Sequence, residues 1–402
     1  MTWAPQASAA SINDLERQVE ALKDRLIDLQ SQLNDVRSET KKASKTAKKA
    51  SESGGVPKWA KNWKFKGDFR LRYQSQEEDE GDSRTRLRYR LRPGVEAQVN
   101  DWFKVGFRLV SGGAGHDSTN ETLDDNFDMK DVSIDLAYAE LKPVKQVAII
   151  GGKMNNPLWK TKDLMWDGDI TPEGIAAKIK FKPAPALEIF LTPAYWILDD
   201  QRRAVDTGVV VAEEGDDPKM MALQAGLKYG GDIYVKAAVT KYGFDKVQGF
   251  PGLNNGRGTN TMIVKAGTGT DVYRYDYDVL SLDAEVGFKL PIEFMPQAAV
   301  FGTWVENPDP EEDNNGYLYG FRLGHKKVKK LGQWQFKYNY RYLETDAWLD
   351  QFPDSDAYGG ETNKEGSEFE IKFGLAKNTT IGLDYYDMKT IEPDGAGVHH
   401  DE

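Results

Sequence analysis

Strict alternation of apolar and charged side chains over residues 63–110 constrains the fold more than any other feature of the sequence. From Trp63 to Tyr73 the odd positions are mostly aromatic or aliphatic, and the even positions are mostly basic. The pattern repeats over residues 84–99, where five arginines occupy alternate positions, and again over residues 103–109. Because side chains of a β-strand alternate between two faces, this period of two predicts three successive strands.

The length of these segments indicates which face points inward. Residues 84–99 form a segment far longer than the roughly 5–6 residues of a usual strand, whereas a membrane-spanning strand needs about 9–11 residues before any overhang. Aromatic residues lie near the segment ends, as in an interfacial girdle: Trp63, Phe65, Tyr73, Tyr89, Trp102 and Phe103. We therefore expect the apolar face to contact lipid and the charged face to line a water-filled lumen. A large soluble β-sandwich or β-helix is the alternative.

Composition excludes several other classes of protein. Only 39% of the 402 residues are hydrophobic and no run of 18 apolar residues exists, which excludes a helical membrane protein. The net charge of −11 argues against a general nucleic-acid partner. Cysteine is absent, so disulfides and thiolate metal sites are impossible. Residues 1–5 lack the pattern of a signal peptide, and Ala7-Ser8-Ala9 is either a cleavage-site remnant of a mature chain or a chance run.

A heptad repeat precedes the strands. Its sustained 3.5-residue period predicts an α-helical coiled coil over residues 12–50, after a tail of residues 1–11. A run around Arg25 and Gln30 resembles a trimer-favouring pattern, while a dimer or an intramolecular helix remains open. A linker over residues 51–62 ends the segment. The coiled-coil core is predicted to consist of Ile12, Leu15, Val19, Leu22, Leu26, Leu29, Leu33 and Val36.

Alternating segments continue as far as residue 385, and the links between them alternate in length. Short links fall at 100–101, 142–146, 182–186, 229–232, 291–296, 325–332 and 376–379, with longer links near 111–130, 155–172, 199–218, 243–272, 307–315 and 346–366. Short turns on one side and long loops on the other are typical of an outer-membrane barrel. Fifteen strands are evident, whereas bacterial barrels have an even number. Either the tail 391–402 hides a distorted closing strand, or the chain stops short. The predicted fold is an all-β transmembrane antiparallel β-barrel of about 16 strands over residues 63–402, with the amino-terminal coiled coil.

Three stretches carry a resemblance to a known family. They are the heptads from Ile12 to Val36, the barrel entry 63–73 and the segment Gly151-Gly152-Lys153-Met154-Asn155-Asn156-Pro157. The chain resembles the Gram-negative "putative porin" family with an amino-terminal periplasmic coiled coil, and is similar to DcaP-like and phosphate-selective trimeric porins. The resemblance implies a homotrimer among outer-membrane lipids, with the coiled coil in the periplasm. It also implies passive diffusion of small polar or anionic solutes.

Basic residues dominate the predicted lumen face of the first three strands, opposed there only by Asp68 and Glu96. Rows of basic side chains bias a pore towards anions. The predicted pore-lining basic residues are Lys64, Lys66, Arg70, Arg72, Arg84, Arg86, Arg88, Arg90, Arg92, Lys104 and Arg108.

The link 158–173 is predicted to fold into the lumen as a constriction loop. Its apolar residues Leu158, Trp159, Leu164, Met165 and Trp166 would hold it inside the barrel. Facing carboxylates would come from Asp163, Asp167, Asp169 or Glu173, and the resulting field would orient dipolar solutes. An ordinary extracellular loop packed on the barrel rim is the alternative.

Other functions have less support in the sequence. The four histidines are scattered without a nucleophile or metal-ligand spacing, so we expect no enzyme activity and no cofactor. Acidic clusters at 124–128 and 311–315 are alternative calcium sites. A structural tether is a second hypothesis, since a helix over residues 12–50 would extend roughly 58 Å towards peptidoglycan. A barrel sheath around a partner protein is a third.

Overall fold

The computed structural model describes residues 62–77, 83–113, 115–200, 204–206, 209–212, 217–253, 258–265, 269–357 and 359–392, together with scattered residues between 20 and 42. The chain divides into two compact units, Met1–Asn62 and Trp63–Glu402. Among the described residues, no helix is both long enough and apolar enough to cross a membrane.

The described residues of the first unit between 20 and 42 are helical. Helical spacing is evident in two side-chain contacts, Lys23 to Glu20 at 3.3 Å and Gln32 to Asp28 at 3.1 Å. The predicted tail 1–11, nearly all of the linker 51–62 and all eight predicted core residues of the coiled coil lie outside the described residues. The coiled coil therefore stays a prediction. Those core residues are Ile12, Leu15, Val19, Leu22, Leu26, Leu29, Leu33 and Val36.

The second unit is built from β-strands. A short 3-10 turn at Asp125–Phe127 accompanies them. The strands are β1 Trp63–Gln76, β2 Arg84–Asn100, β3 Phe103–Ser111, β4 Glu121–Thr122, β5 Val132–Val144, β6 Val147–Lys153, β7 Glu173–Ala184, β8 Leu187–Ile197, β9 Ala204–Asp206, β10 Val209–Ala212, β11 Lys219–Gly230, β12 Ile233–Asp245, β13 Met262–Val264, β14 Asp271–Tyr273, β15 Leu280–Lys289, β16 Gln297–Glu306, β17 Asn315–Gly324, β18 Trp334–Leu343, β19 Lys364–Ala376 and β20 Thr379–Thr390.

One large antiparallel sheet contains most of these strands. Its path runs through fifteen strands from β1 to β20 in chain order, and the two-residue β4 pairs with β2 as a sixteenth member. The strand bounds confirm the predicted alternation of short and long links over most of the sheet, but the predicted short link 325–333 is longer than the predicted long link 307–314. Sequence patterns missed β4 and the small hairpins β9–β10 and β13–β14. The alternatives for a sixteenth strand on the path concern the tail 391–402, of which residues 393–402 lie outside the described residues.

The two faces of the sheet reverse the usual distribution of a soluble protein. Leu223 and Val239 on neighbouring strands are 51% and 46% exposed, whereas Gln224 and Thr240 beside them are 1% and 0% exposed. The amide of Gln224 donates to the Thr240 hydroxyl at 2.9 Å, because a buried polar group needs a partner. The exposed face is thus apolar and the enclosed face is polar. The predicted orientation, with the apolar side chains outward, is confirmed.

The sheet curves until its two ends approach each other. Arg72 of β1 forms a salt bridge with Asp356 at 2.8 Å, and Tyr386 of β20 donates to Asp354 at 3.4 Å. These two aspartates are two residues apart in the link between β18 and β19. Fourteen antiparallel pairings separate β1 from β20, so the two end strands run in the same direction.

The main apolar core lies on the enclosed face, where long links fold inward. Trp166 of the β6–β7 link stacks on Phe352 of the β18–β19 link, with ring centroids 4.9 Å apart. The same indole meets Trp196 of β8 at 5.6 Å and Trp348 at 5.6 Å. Two links that are distant in sequence therefore pack together against the inner wall.

Candidate functional site: the constricted interior of the sheet

The segment 154–172 between β6 and β7, here called the constriction loop, leaves the wall between two glycines. Gly152 and Gly174 are paired in the ladder and have φ values of 108° and 144°. A Cβ atom on either residue would lie 2.3 Å from a backbone carbonyl oxygen of the neighbouring strand. Glycine is therefore required where the chain turns away from the wall. The backbone N–H of Met154 donates to the Pro172 carbonyl at 2.9 Å and closes the neck of the loop.

Apolar side chains hold the constriction loop against the inner wall, as the sequence predicted. Trp159 is half-buried and meets the Phe190 ring edge-on at 6.4 Å. The loop is thus not an exposed extracellular loop. The buried apolar residues of the predicted set are Leu158, Leu164, Met165 and Trp166.

Polar contacts fix the loop on the opposite side of the interior from β2. Gln224 of β11 bonds both backbone groups of Trp159, at 2.8 Å each. The Thr161 hydroxyl lies 2.6 Å from that of Thr303 on β16. Strands from several parts of the sheet thus converge on one loop, which requires the sheet to curve around it.

Asp169 is the one predicted constriction acid that faces the arginines of the first strands. Its carboxylate lies 3.5 Å from Arg90 and 3.3 Å from Arg92, and it accepts a hydrogen bond from the Thr119 hydroxyl at 2.8 Å. Asp68 on β1 binds the same two guanidinium groups at 2.8 Å each. Two cations and two carboxylates therefore meet where the loop approaches β2.

The other three acids of the predicted set do not face these arginines. Asp163 points the opposite way and pairs with Lys162 at 2.6 Å and Arg341 at 2.9 Å. Asp167 is buried and accepts from the backbone N–H and hydroxyl of Ser355 at 2.8 Å each. Glu173 is the first residue of β7 and pairs with Lys153 at 2.8 Å. Acids that are close in sequence therefore face different walls.

Burial sets the protonation of these loop carboxyls. Removal from water raises the pKa of Asp167 to about 6. For Asp163, burial opposes ionisation, but Lys162 and Arg341 outweigh it and hold the pKa below its ordinary value. Asp354 is also buried and lies near Asp163, so its pKa is well above the ordinary value.

Asp163, Asp354 and Glu368 form the single group of acidic residues within the described chain whose spacing would suit a metal ion. Arg341 already contacts all three carboxylates, at distances between 2.5 and 3.4 Å. Lys162 adds a second cation, 2.9 Å from Glu368. The group therefore works as an ion-pair cluster that joins the constriction loop to β18 and β19.

The acidic cluster at 124–128 is one of the two predicted calcium sites. Its Asp124 carboxylate pairs with the Lys130 ammonium group at 2.5 Å.

Six of the predicted pore-lining residues are paired with carboxylates on the enclosed face. Arg72, Arg90 and Arg92 have the contacts described above. The others are Lys66 with Glu96 at 2.6 Å, Lys104 with Glu140 at 3.0 Å, and Arg108 with Asp135.

The remaining five have no ion pair with any described residue. Lys64 and Arg84 are exposed. Three partly buried arginines bind neutral groups instead: Arg70 the Asn120 side chain at 2.5 Å, Arg86 the Gln76 side chain at 2.7 Å, and Arg88 the Ser118 hydroxyl and the Asn120 carbonyl at 3.2 and 3.1 Å.

Sequence reasoning missed two further contributors to the interior. The link 112–131 supplies Asn120 and Thr119, both buried. The link 344–363 supplies Asp356 and the fully buried Trp348. The large apolar residues around Trp348 lie within a long link. The same pattern predicted the inward fold of the constriction loop, so it could have predicted the inward fold of this link.

A curved antiparallel sheet with an apolar outer face, a polar interior, short turns on one side and an inward-folded long loop defines the class of outer-membrane porins. The family described as "Putative porin" matches residues 77–270 and 256–400 of this chain. The chain belongs to that family. No curated protein sequence matches it.

Three of the solved structures that are similar to this chain follow. Vibrio cholerae OmpT is 13% identical, with 82% of this chain and 88% of that chain covered and a TM-score of 0.44. Pseudomonas putida OprB is 9% identical, with 81% and 89% covered and a TM-score of 0.45. Salmonella typhi OmpF, solved with daunomycin, is 10% identical, with 81% and 97% covered and a TM-score of 0.41.

Proposed function

We propose that this porin allows passive diffusion of small hydrophilic solutes with a preference for anions, along the arginine-lined wall opposite the constriction loop. The observation that carries the proposal is that Arg70, Arg86 and Arg88 have only neutral hydrogen-bond partners among the described residues. None of the three forms an ion pair with the carboxylates that neutralise Arg72, Arg90 and Arg92.

Neutral partners hold these arginines in place without cancelling their field. Each guanidinium group donates hydrogen bonds to Asn, Gln or Ser side chains, which fix its position, so less side-chain entropy is lost when an anion approaches. The Nε–H groups of Arg70, Arg86 and Arg88 also lack an acceptor among the described residues. A fixed row of positive charge in a narrow aqueous passage attracts anions and repels cations.

Reversal potentials in planar bilayers under a KCl gradient test the proposal. The wild type is expected to favour chloride, and the triple variant Arg70→Ser, Arg86→Ser, Arg88→Ser to lose much of that preference. A matched control removes three exposed lysines from the short-turn rim, with Lys142, Lys145 and Lys289 replaced by Ser, and should change selectivity less. A cation-favouring wild type, or equal effects of the two variants, would reject the arginine mechanism.

We further propose that the protein is a homotrimer in the outer membrane, with residues 12–50 forming a periplasmic coiled coil. The helical residues between 20 and 42 and the heptad spacing support this arrangement. A tether between the membrane and peptidoglycan is the alternative role of the segment. Deletion of residues 1–56 separates transport from tethering: single-channel conductance should persist, and a loss of envelope attachment with normal conductance would favour the tether.

A further inference from the structure

A cavity of about 350 Å³ lies on the inner wall between the constriction loop and the short turns. Its walls come from strands β8, β11, β12, β15 and β17. Basic and aromatic side chains dominate the lining, which includes Trp159, Lys160, Lys228, Lys236, Arg322 and Lys326. This cavity is distinct from the arginine row on β1 and β2.

The floor of the cavity is an aromatic platform set into the wall. The Tyr234 ring lies against Gly287, where a Cβ atom would come within 2.3 Å of the ring. The Lys228 ammonium group lies 4.8 Å from the centroid of the Tyr234 ring, and the Lys326 ammonium group lies 5.8 Å from it. Attraction between a cation and the face of an aromatic ring holds both lysines over the platform.

A second cation–ring contact lies beside the first. The Lys236 ammonium is 4.2 Å from the Trp159 ring centroid and 5.2 Å from that of Phe190. The Phe190 ring packs against Gly226, where an added Cβ would meet it at 2.3 Å. Glycines at matching inner-face positions therefore give both aromatic rings room to lie against the wall.

Both carboxylates of the cavity are already engaged by other groups. Glu285 accepts hydrogen bonds from Tyr234 at 2.6 Å and from Arg322 at 3.2 Å. Glu188 pairs with Lys180 at 3.6 Å and Lys182 at 3.1 Å.

Lys228, Lys236 and Lys326 have no ion pair with any carboxylate among the described residues. Three ammonium groups around one cavity repel each other, and an aromatic face offsets that repulsion only in part.

We propose that this cavity is a binding site for a multivalent oxyanion, such as a phosphate, a pyrophosphate or a compact tricarboxylate. The proposal rests on the proposed function, because it places the site on the solute passage of an anion-preferring channel. A multivalent anion neutralises several ammonium groups at once, whereas chloride neutralises one. The oxygens of the anion also accept hydrogen bonds from the N–H groups of the three lysines and Arg322.

Block of the chloride current by added anions tests the site. Inorganic phosphate, pyrophosphate, citrate and acetate are titrated separately into the bath on the short-turn side. Pyrophosphate and citrate should reduce the chloride conductance at far lower concentration than acetate. Preference between the phosphorus and carboxylate probes then identifies the oxyanion class. Equal, weak effects of all four probes would overturn the proposal.

A variant with Lys228, Lys236 and Lys326 replaced by Gln should need about tenfold more pyrophosphate for half-block, since two to three charge-assisted contacts are lost. The matched control replaces Lys142, Lys145 and Lys289 by Gln and should behave as the wild type. If the triple variant fails to fold, Lys236→Gln alone should still weaken block several-fold. Unchanged block in a folded Lys228, Lys236, Lys326 variant would refute the site.

Calorimetric titration of pyrophosphate into the detergent-solubilised protein separates this inference from the proposed function. Absence of conductance in the wild type would contradict the channel function while binding could still be measured. Conductance with anion preference, but no heat of pyrophosphate binding and no block, would contradict the cavity site alone.

Discussion

Replacing Asp169 by Asn should strengthen the preference for anions. Asp169 and Asp68 together neutralise Arg90 and Arg92, so the cluster of four has a formal charge of zero. The substitution keeps the shape of the side chain and an acceptor for the Thr119 hydroxyl, and it leaves the cluster with one net positive charge.

The expected size of the change in selectivity follows from Coulomb's law. A unit charge about 5 Å from a permeating ion contributes about 0.8 kcal/mol at the permittivity of water, and more where the protein displaces water. That energy corresponds to about a fourfold gain in the local concentration of a monovalent anion, with a similar loss for a cation. The anion-to-cation permeability ratio is the quotient of these two changes, so it should rise about sixteenfold at low salt, and less at high salt because of screening.

The assay is the reversal potential under a tenfold KCl gradient, compared with Glu173→Gln as control. Glu173 carries the same charge at the start of β7 but pairs with Lys153 away from the arginines, so its replacement should leave the potential unchanged. A shift towards cations in Asp169→Asn, or equal shifts in both variants, would refute the assignment of Asp169 to the constriction.

Two further predictions concern the inward-folded links. Trp166→Ala removes an indole that contacts four other aromatic rings, so it should cost about 3–5 kcal/mol of stability and give larger, noisier single-channel currents. Urea unfolding checks the stability and bilayer recordings check the currents. The control is Trp102→Ala at an exposed position, which should change neither the stability nor the currents. Burial raises the pKa of Asp350 to about 7, compared with about 3.9 in an unfolded chain. The folded protein therefore binds a proton more tightly than the unfolded chain, and this contribution to stability is lost as the pH rises from about 4 through 7. Proteolysis of the link 344–363 should therefore increase between pH 5 and 8 in the wild type but not in Asp350→Asn, and identical pH profiles would contradict this.

Much of the fold was predictable because period-two alternation is a local property. The strands and the outward apolar face follow from it. Trp166 and its apolar neighbours likewise predicted that the constriction loop folds inward. The direction of each loop acid was not predictable, because links have no regular period. Asp167 and Asp169 are two residues apart, yet one bonds Ser355 and the other faces Arg90.

A curved sheet with a basic interior on its first strands can be derived from the residues alone. The distribution of that charge emerges only when the chain is folded. Arg72 is neutralised by Asp356, which is 284 residues away, while Arg70, Arg86 and Arg88 keep neutral partners. Lys228, Lys236 and Lys326 meet around one cavity although they come from different strands and a turn. The physical reason is that electrostatic compensation depends on distance in space, and long links bring charges together without any local pattern in the chain.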